Sequence, residues 1–157
     1  MRLAKWLLVG ALCAASVSCG DDNEPYIRPV GSGPWVLVDV YHTTKQNQLD
    51  YKMDKNQYNY QGVFGFWRAF DHLTANGTNW SAFRTEPISP ERLDGFDALF
   101  INLVSDDNPD FTADEITAIQ EFVYNGGGLF VIADHTNVYR HAERVNPILK
   151  PMGVEIL

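Results

Sequence analysis

Three short apolar runs, each followed by polar residues, set the pattern of the chain. They are Trp35–Val40, Asp97–Val104 and Leu129–Ala133. Each is too short for a typical helix, and the last follows a Gly-Gly-Gly break and is continuously apolar, as expected of a parallel strand covered on both faces. We expect the third run to be the central strand of a parallel sheet. Residues 80–84 predict a further strand at the edge.

Apolar residues at helical spacing separate these runs. The stretch Val63–Leu73 predicts a first crossover helix that stops at Asn76-Gly77. Ser89 followed by Pro90 predicts a helix cap with proline in the first turn.

The best-defined helix begins at a capping box. Thr112 and Glu115 have the spacing at which each side chain satisfies the other's backbone amide, and apolar residues recur behind them. We predict a helix from about Ala113 to Asn125, closed by Gly126. After the third run, the sequence predicts a helical turn over 138–145 and a second helix that restarts at 146–147 and ends at 152–153.

This alternation predicts an α/β fold, a flavodoxin-like three-layer sandwich with a mostly parallel sheet and right-handed crossovers. Val154–Leu157 would be a fifth strand. A sheet of this kind normally covers its last strand with another helix. We therefore expect a domain that is incomplete at its C-terminus, in an N-terminal fragment of a longer protein or the product of a truncated gene.

The first nineteen residues have the layout of a secretory signal peptide. Two basic residues precede the apolar stretch Trp6–Ala15, which is shorter than the roughly 20 residues that span a bilayer, and small residues lead to Cys19. This resembles a bacterial lipobox, although Ser16 stands where that pattern prefers Leu. The other cysteine is Cys13, within the signal, so Cys19 has no disulfide partner in the mature chain. We expect lipidation of Cys19, with a plain cleaved signal as the alternative.

The chain thus divides into a lipoprotein signal peptide (1–19), a charged tether (20–34) and a single domain (35–157). The formal net charge of −8 becomes −8 − 2 = −10 once the two basic signal residues are removed. Nucleic acid is a poor partner for so acidic a protein. The expected location is the bacterial cell envelope, with the protein anchored to the membrane through its lipid.

The segment Thr112–Asn137, with its capped acidic helix, glycine break, strand and polar turn, resembles the class I glutamine amidotransferase-like superfamily. Within it, the likeness is to the non-catalytic branch found in gliding-motility transport accessory proteins and a ciliary transport subunit. The enzymes carry a nucleophilic cysteine in a Gly-x-Cys-x-Gly elbow after this strand, where the present chain has Asp134-His135-Thr136. Without that thiolate, glutamine hydrolysis is excluded. The resemblance implies a fold and no amidotransferase activity.

Polar residues follow the first, third and fourth predicted strands. In a flavodoxin-like strand order these exits lie side by side at the carboxyl edge of the sheet, where ligands bind in open α/β sheets. The candidate ligand-binding residues are Asp39, His42, Asn102, Ser105, Asp134, His135 and Asn137. The tyrosine-rich stretch 43–61 is either part of this surface, suited to a saccharide or a peptide, or an ordinary surface loop.

Four of these residues are also candidate ligands for a divalent metal such as Zn or Mn: Asp39, His42, Asp134 and His135. A metal there would activate water for hydrolysis. The spacing matches no recognised metal motif, however, and simpler roles exist. Asp134 is suited to capping the next turn, and His42 and His135 to being hydrogen-bonded bystanders.

The sequence therefore predicts a lipid-anchored envelope protein whose domain binds a saccharide, a peptide or a protein partner without chemistry and needs no cofactor. A metal-dependent hydrolase is the alternative. A purely structural accessory domain of an envelope complex is the third.

Overall fold

The computed structural model describes residues 33–43, 67–83, 85–102, 104, 108–133 and 137–157. Their four strands form one all-parallel sheet in the order β2-β1-β3-β4, which confirms the predicted flavodoxin-like α/β fold. The strands are β1 (Trp35–Asp39), β2 (Asn79–Phe83), β3 (Ala98–Ile101) and β4 (Gly128–Val131). The helices are α1 (Trp67–Ala75), α2 (Pro90–Leu93), α3 (Ala113–Tyr124) and α4 (His141–Leu149), with 3₁₀ turns at Val138–Arg140 and Lys150–Met152.

The two faces of the sheet are covered by different helices. Because side chains alternate along a strand, Leu37 and Leu99 face the core formed with α2, α3 and α4, whereas Val38 and Phe100 face Phe70 of α1. All five side chains are at least nine-tenths buried. This gives the three layers that the sequence predicts.

The predicted helix boundaries agree with the local geometry. Gly77 adopts a positive φ of 82° just after α1, as a helix-terminating glycine does. Ser89 Oγ accepts a 3.3 Å hydrogen bond from Arg92 N at the start of α2. Thr112 and Glu115 form the reciprocal capping box of α3. The predicted apolar positions 63–66 of the first helix lie outside the described residues.

Three predictions near the C-terminus are wrong. Strand β4 lies at the edge of the described sheet and is not central, and Phe130 is 59% exposed. Val154–Leu157 is not a strand, so no fifth strand pairs with β4 among the described residues. In addition, α4 runs through Pro147 instead of restarting there.

Candidate functional site

At the carboxyl end of β1, the Asp39 side chain binds the turn that follows the strand. Oδ1 of Asp39 accepts a 3.0 Å hydrogen bond from the backbone N–H of His42, and Oδ2 lies 2.8 Å from Nδ1 of the same histidine. The hydroxyl of Thr43 donates to the carbonyl of Asp39 at 2.7 Å. Asp39 and His42 are completely buried. The polar exit of the first strand is therefore an internal turn held by its own side chains.

The other side of the His42 ring meets Glu115 of the α3 capping box. Nε2 of His42 lies 3.3 Å from Oε1 of Glu115, which also accepts a 2.9 Å hydrogen bond from Ile88 N. The Nε2 contact has the distance of an ion pair without well-aligned hydrogen-bond geometry. Oε2 of Glu115 accepts from the backbone N–H and the hydroxyl of Thr112 at 2.8 and 2.9 Å. One carboxylate thus caps α3 and faces a buried imidazole.

This arrangement favours a charged imidazolium. Burial alone lowers the pKa of His42, but the charge of Asp39, its hydrogen bond and the contacts with Glu115 outweigh burial and raise that pKa to about 9. Burial likewise raises the pKa of Glu115, but the contact with His42 and the hydrogen bonds from Thr112 and Ile88 outweigh burial and lower that pKa to about 2. A positive ring between two carboxylates is thus the expected state at neutral pH.

Aromatic rings seal the same histidine. Phe111 stacks on the His42 ring with centroids 3.9 Å apart, and Tyr41 meets it edge-on at 4.8 Å. A general base needs a pKa near the working pH, and a metal ligand needs a neutral ring with an accessible nitrogen. His42 meets neither requirement in this state, because its pKa is high and each ring nitrogen faces a carboxylate. The arrangement suits a structural role.

The exits of β1 and β3 lie together. Asp39 is in register with Ile101, the last residue of β3, so the buried Asn102 lies just beyond the end of β1. Farther along, the side-chain amide of Asn108 donates a 2.6 Å hydrogen bond to the carbonyl of Tyr41. These contacts confirm that two of the predicted strand exits are neighbours.

A buried arginine of α4 braces this region from the side. Arg144 donates hydrogen bonds to the carbonyls of Asn108 and Pro109 and forms a 2.5 Å ion pair with Asp110. The guanidinium therefore holds the loop between β3 and α3 against the helix that follows β4.

Asn137 is exposed and has a local structural function. It adopts a positive φ of 51°, and its Oδ1 accepts a 2.8 Å hydrogen bond from Ala142 N in the first turn of α4. Ser105, Asp134 and His135 lie outside the described residues, as does the tyrosine-rich stretch beyond Thr43. The structure thus joins Asp39 to His42, places Asn102 near them and puts Asn137 at the start of α4.

Glu115 contacts the buried His42, although the sequence interpretation did not assign it to the site. Its capping-box spacing explained it fully as a local helix residue, and nothing in the local pattern predicted contact with His42. The signal available in the sequence was a histidine three residues after an aspartate at the end of an apolar strand. A histidine buried at such a position needs a second polar partner for its other ring nitrogen.

Within the described ranges, no group of three or more His, Cys, Asp or Glu side chains is placed to hold a metal ion. No helix in the same part of the chain is both long and apolar enough to cross a membrane. A cleft of about 460 Å³ lies at the opposite, amino edge of the sheet, where Asp94, Asp97 and Glu121 surround Phe96 and Phe122. It is separate from the candidate site.

The fold and these contacts define the class of protein as an α/β domain built on a parallel flavodoxin-like sheet. Comparison with protein-family models, curated proteins and solved structures gives no match to the chain. Function is therefore inferred from the residues themselves.

Proposed function

We propose that this is a lipid-anchored protein of the bacterial envelope whose amidotransferase-like domain binds a saccharide, a peptide or a protein partner at the carboxyl edge of the sheet, without catalysis. The observation that supports a non-catalytic role is the state of His42. It is completely buried, and its two ring nitrogens face Asp39 at 2.8 Å and Glu115 at 3.3 Å.

The same observation disfavours the metal-dependent hydrolase. To bind a metal, His42 would have to lose its proton and leave both carboxylates, which would then be buried without a positive partner. Asp39 is engaged by the same ring and by the backbone of residue 42. Two of the four candidate metal ligands are therefore committed to each other.

Metal content tests the choice between the two functions. Elemental analysis of the purified chain and of the His135→Ala variant should give substoichiometric zinc and manganese in both. One equivalent of either metal in the parent chain, lost on substitution, would establish the hydrolase instead.

Ligand binding is testable by NMR with soluble peptidoglycan fragments, which carry both saccharide and peptide. Shifts should concentrate at Thr43, Asn102 and Asn137 around the carboxyl edge. The variant Asp94→Asn, in the cleft at the amino edge, should bind the fragments with unchanged affinity. Shifts confined to that cleft, or affinity lost in this variant, would contradict the proposed location.

The lipid anchor is testable separately. In a bacterial host fed an alkyne analogue of palmitate, the parent chain should become labelled and the Cys19→Ser variant should not. The Cys13→Ser variant is the matched control and should keep the label, because this cysteine lies inside the signal. Equal labelling of the Cys19→Ser variant would refute lipidation at this residue.

A further inference from the structure

Helix α1 ends on an Asn-Gly pair, Asn76-Gly77. Gly77 N donates to Thr74 O at 3.1 Å and Thr78 N donates to Leu73 O at 2.9 Å, which is the hydrogen-bond pattern of a Schellman motif. Gly77 has the positive φ of 82° that this motif favours. Its surroundings are open, since a Cβ built on it meets no atom within 4 Å. Both residues of the pair are exposed, so water reaches them.

Helix α3 ends in the same motif on a second pair, Asn125-Gly126. Here Gly126 N donates to Val123 O at 3.0 Å and Gly127 N donates to Phe122 O at 2.9 Å. Gly126 has a φ of 102°, and a Cβ built on it also meets no atom within 4 Å. Both residues of this pair are exposed as well. The two pairs thus share their sequence, their backbone hydrogen bonds and their exposure.

The two pairs differ in the side chain one helical turn before the asparagine. His72 precedes Asn76 by four residues, whereas Glu121 precedes Asn125 by four. Nδ2 of Asn76 donates to the carbonyl of His72 at 2.8 Å, and the same nitrogen lies 3.4 Å from Nε2 of the His72 ring. The imidazole therefore lies beside the atom that departs when this asparagine loses ammonia.

An asparagine followed by glycine is open to succinimide formation, because glycine has no side chain to hinder attack by its own nitrogen. Gly77 N bonds to Cγ of Asn76 and gives its proton to water, and the bond between Cγ and Nδ2 breaks. Nδ2 has to gain a proton to leave as ammonia. Imidazole carries an exchangeable proton near neutral pH, so a protonated His72 ring can supply it from Nε2 and regain it from solvent. Water then opens the succinimide to aspartate or isoaspartate.

We propose that Asn76 is a deamidation site at which the His72 ring acts as the acid that protonates the departing ammonia. Asn125, which has the same backbone motif and a carboxylate in place of the imidazole, reacts more slowly. A well-positioned acid or base typically accelerates a reaction by about 10²–10⁴-fold. Because this contact is exposed and 3.4 Å long, we expect an acceleration of about tenfold at Asn76.

The reaction also changes the end of α1. In the unmodified chain Asn76 gives the carbonyl of His72 two donors, its backbone N–H at 3.1 Å and its side-chain Nδ2 at 2.8 Å. A carboxylate at this position has no proton to donate, and its negative charge is unfavourable at the C-terminus of a helix. The last turn of α1 should therefore fray in the product, and the amide of Thr78 should lose its protection from hydrogen exchange.

Peptide mass spectrometry after incubation at neutral pH tests the proposal on the full chain carrying Cys19→Ser. Asn76 should convert about tenfold faster than Asn125 in the same sample. The variant His72→Gln should slow Asn76 to the rate of Asn125. The variant Glu121→His places an imidazole one turn before Asn125 and should accelerate that site about tenfold. Glu121→Gln is its matched control, since it removes the charge without adding an imidazole, and should leave the rate unchanged.

Equal rates at Asn76 and Asn125 in the parent chain would overturn the proposal, as would a rate at Asn76 that His72→Gln leaves unchanged. The gain at Asn125 separates proton donation from a structural effect of His72 on α1. No acceleration by Glu121→His, or the same acceleration by Glu121→Gln, would also overturn it. Hydrogen exchange of the Thr78 amide before incubation reports that α1 still ends in the same motif in each variant.

Discussion

Replacing His42 with glutamine tests the buried ion-pair network most severely. The substitution leaves Asp39 and Glu115 facing an uncharged amide in the interior, and removing one partner of a buried ion pair typically costs about 3–5 kcal/mol. The raised pKa of His42 gives a second estimate of the free energy that its charged form contributes. A rise from 6.5 to about 9 is about 2.5 pKa units, which at 1.36 kcal/mol per unit corresponds to about 3 kcal/mol.

The pH dependence follows from the sign of each shift. The pKa of His42 is higher in the folded state, so its contribution is complete below about 6.5 and is lost as the pH rises towards 9. The pKa of Glu115 is lower in the folded state, so its contribution is complete above about 4.5 and is lost as the pH falls towards 2. The two values describe one shared interaction and are not additive. The network should stabilise the fold most between pH 4.5 and 6.5.

The assay is urea unfolding of the parent chain and the His42→Gln variant between pH 5 and 9.5. The difference in unfolding free energy should be about 3 kcal/mol or more at pH 6 and should shrink towards pH 9. His72→Gln is the matched control, because His72 is exposed on α1, and it should change stability by less than about 0.5 kcal/mol. A variant as stable as the parent at pH 6, or a difference that does not change with pH, would refute the reasoning.

Three further substitutions probe the surroundings of the site by the same unfolding assay. Thr112→Ala removes the hydroxyl that bonds to Glu115 and should cost about 1–2 kcal/mol. The control Thr117→Ala removes an exposed hydroxyl that donates to Ala113 O and should cost less than about 0.5 kcal/mol. Equal effects would contradict a special role for the capping box. Arg144→Met leaves the carbonyls of Asn108 and Pro109, the first of them buried, without their donor and should cost about 2–3 kcal/mol. A neutral result would show that the loop does not depend on Arg144. Gly126→Ala places a side chain at φ 102° and should cost about 1–3 kcal/mol, and an unchanged stability would contradict a strained backbone at this turn.

The sequence was most informative where local chemistry alone decides the structure. The capping box of Thr112 and Glu115 and the Ser89-Pro90 start of α2 were predicted correctly, because a helix terminus is satisfied by residues within one turn. The apolar run of β1 and its polar exit were also predicted correctly, because a buried parallel strand is marked by a short continuous apolar run.

The errors arose where a residue's partner is distant in sequence. Leu129–Ala133 was interpreted as a central strand because it is continuously apolar. An apolar run does not reveal whether a strand pairs on each side of it or whether a helix covers Phe130. The contact between Glu115 and His42 depends on how α3 packs over the end of β1. Asp39 and His42 were predicted to lie together, but the stacking of Phe111 on the His42 ring joins residues that are distant in sequence and was not predicted.

The central claim is that His42 is a buried, ion-paired structural residue and not a metal ligand or a base. An NMR pH titration of its ring nitrogens, with and without one equivalent of Zn²⁺, measures this directly. We predict a ring that stays protonated at pH 7.5, titrates near pH 9 and does not respond to zinc. A neutral ring at pH 7.5 whose signals shift or broaden on addition of zinc would contradict the account.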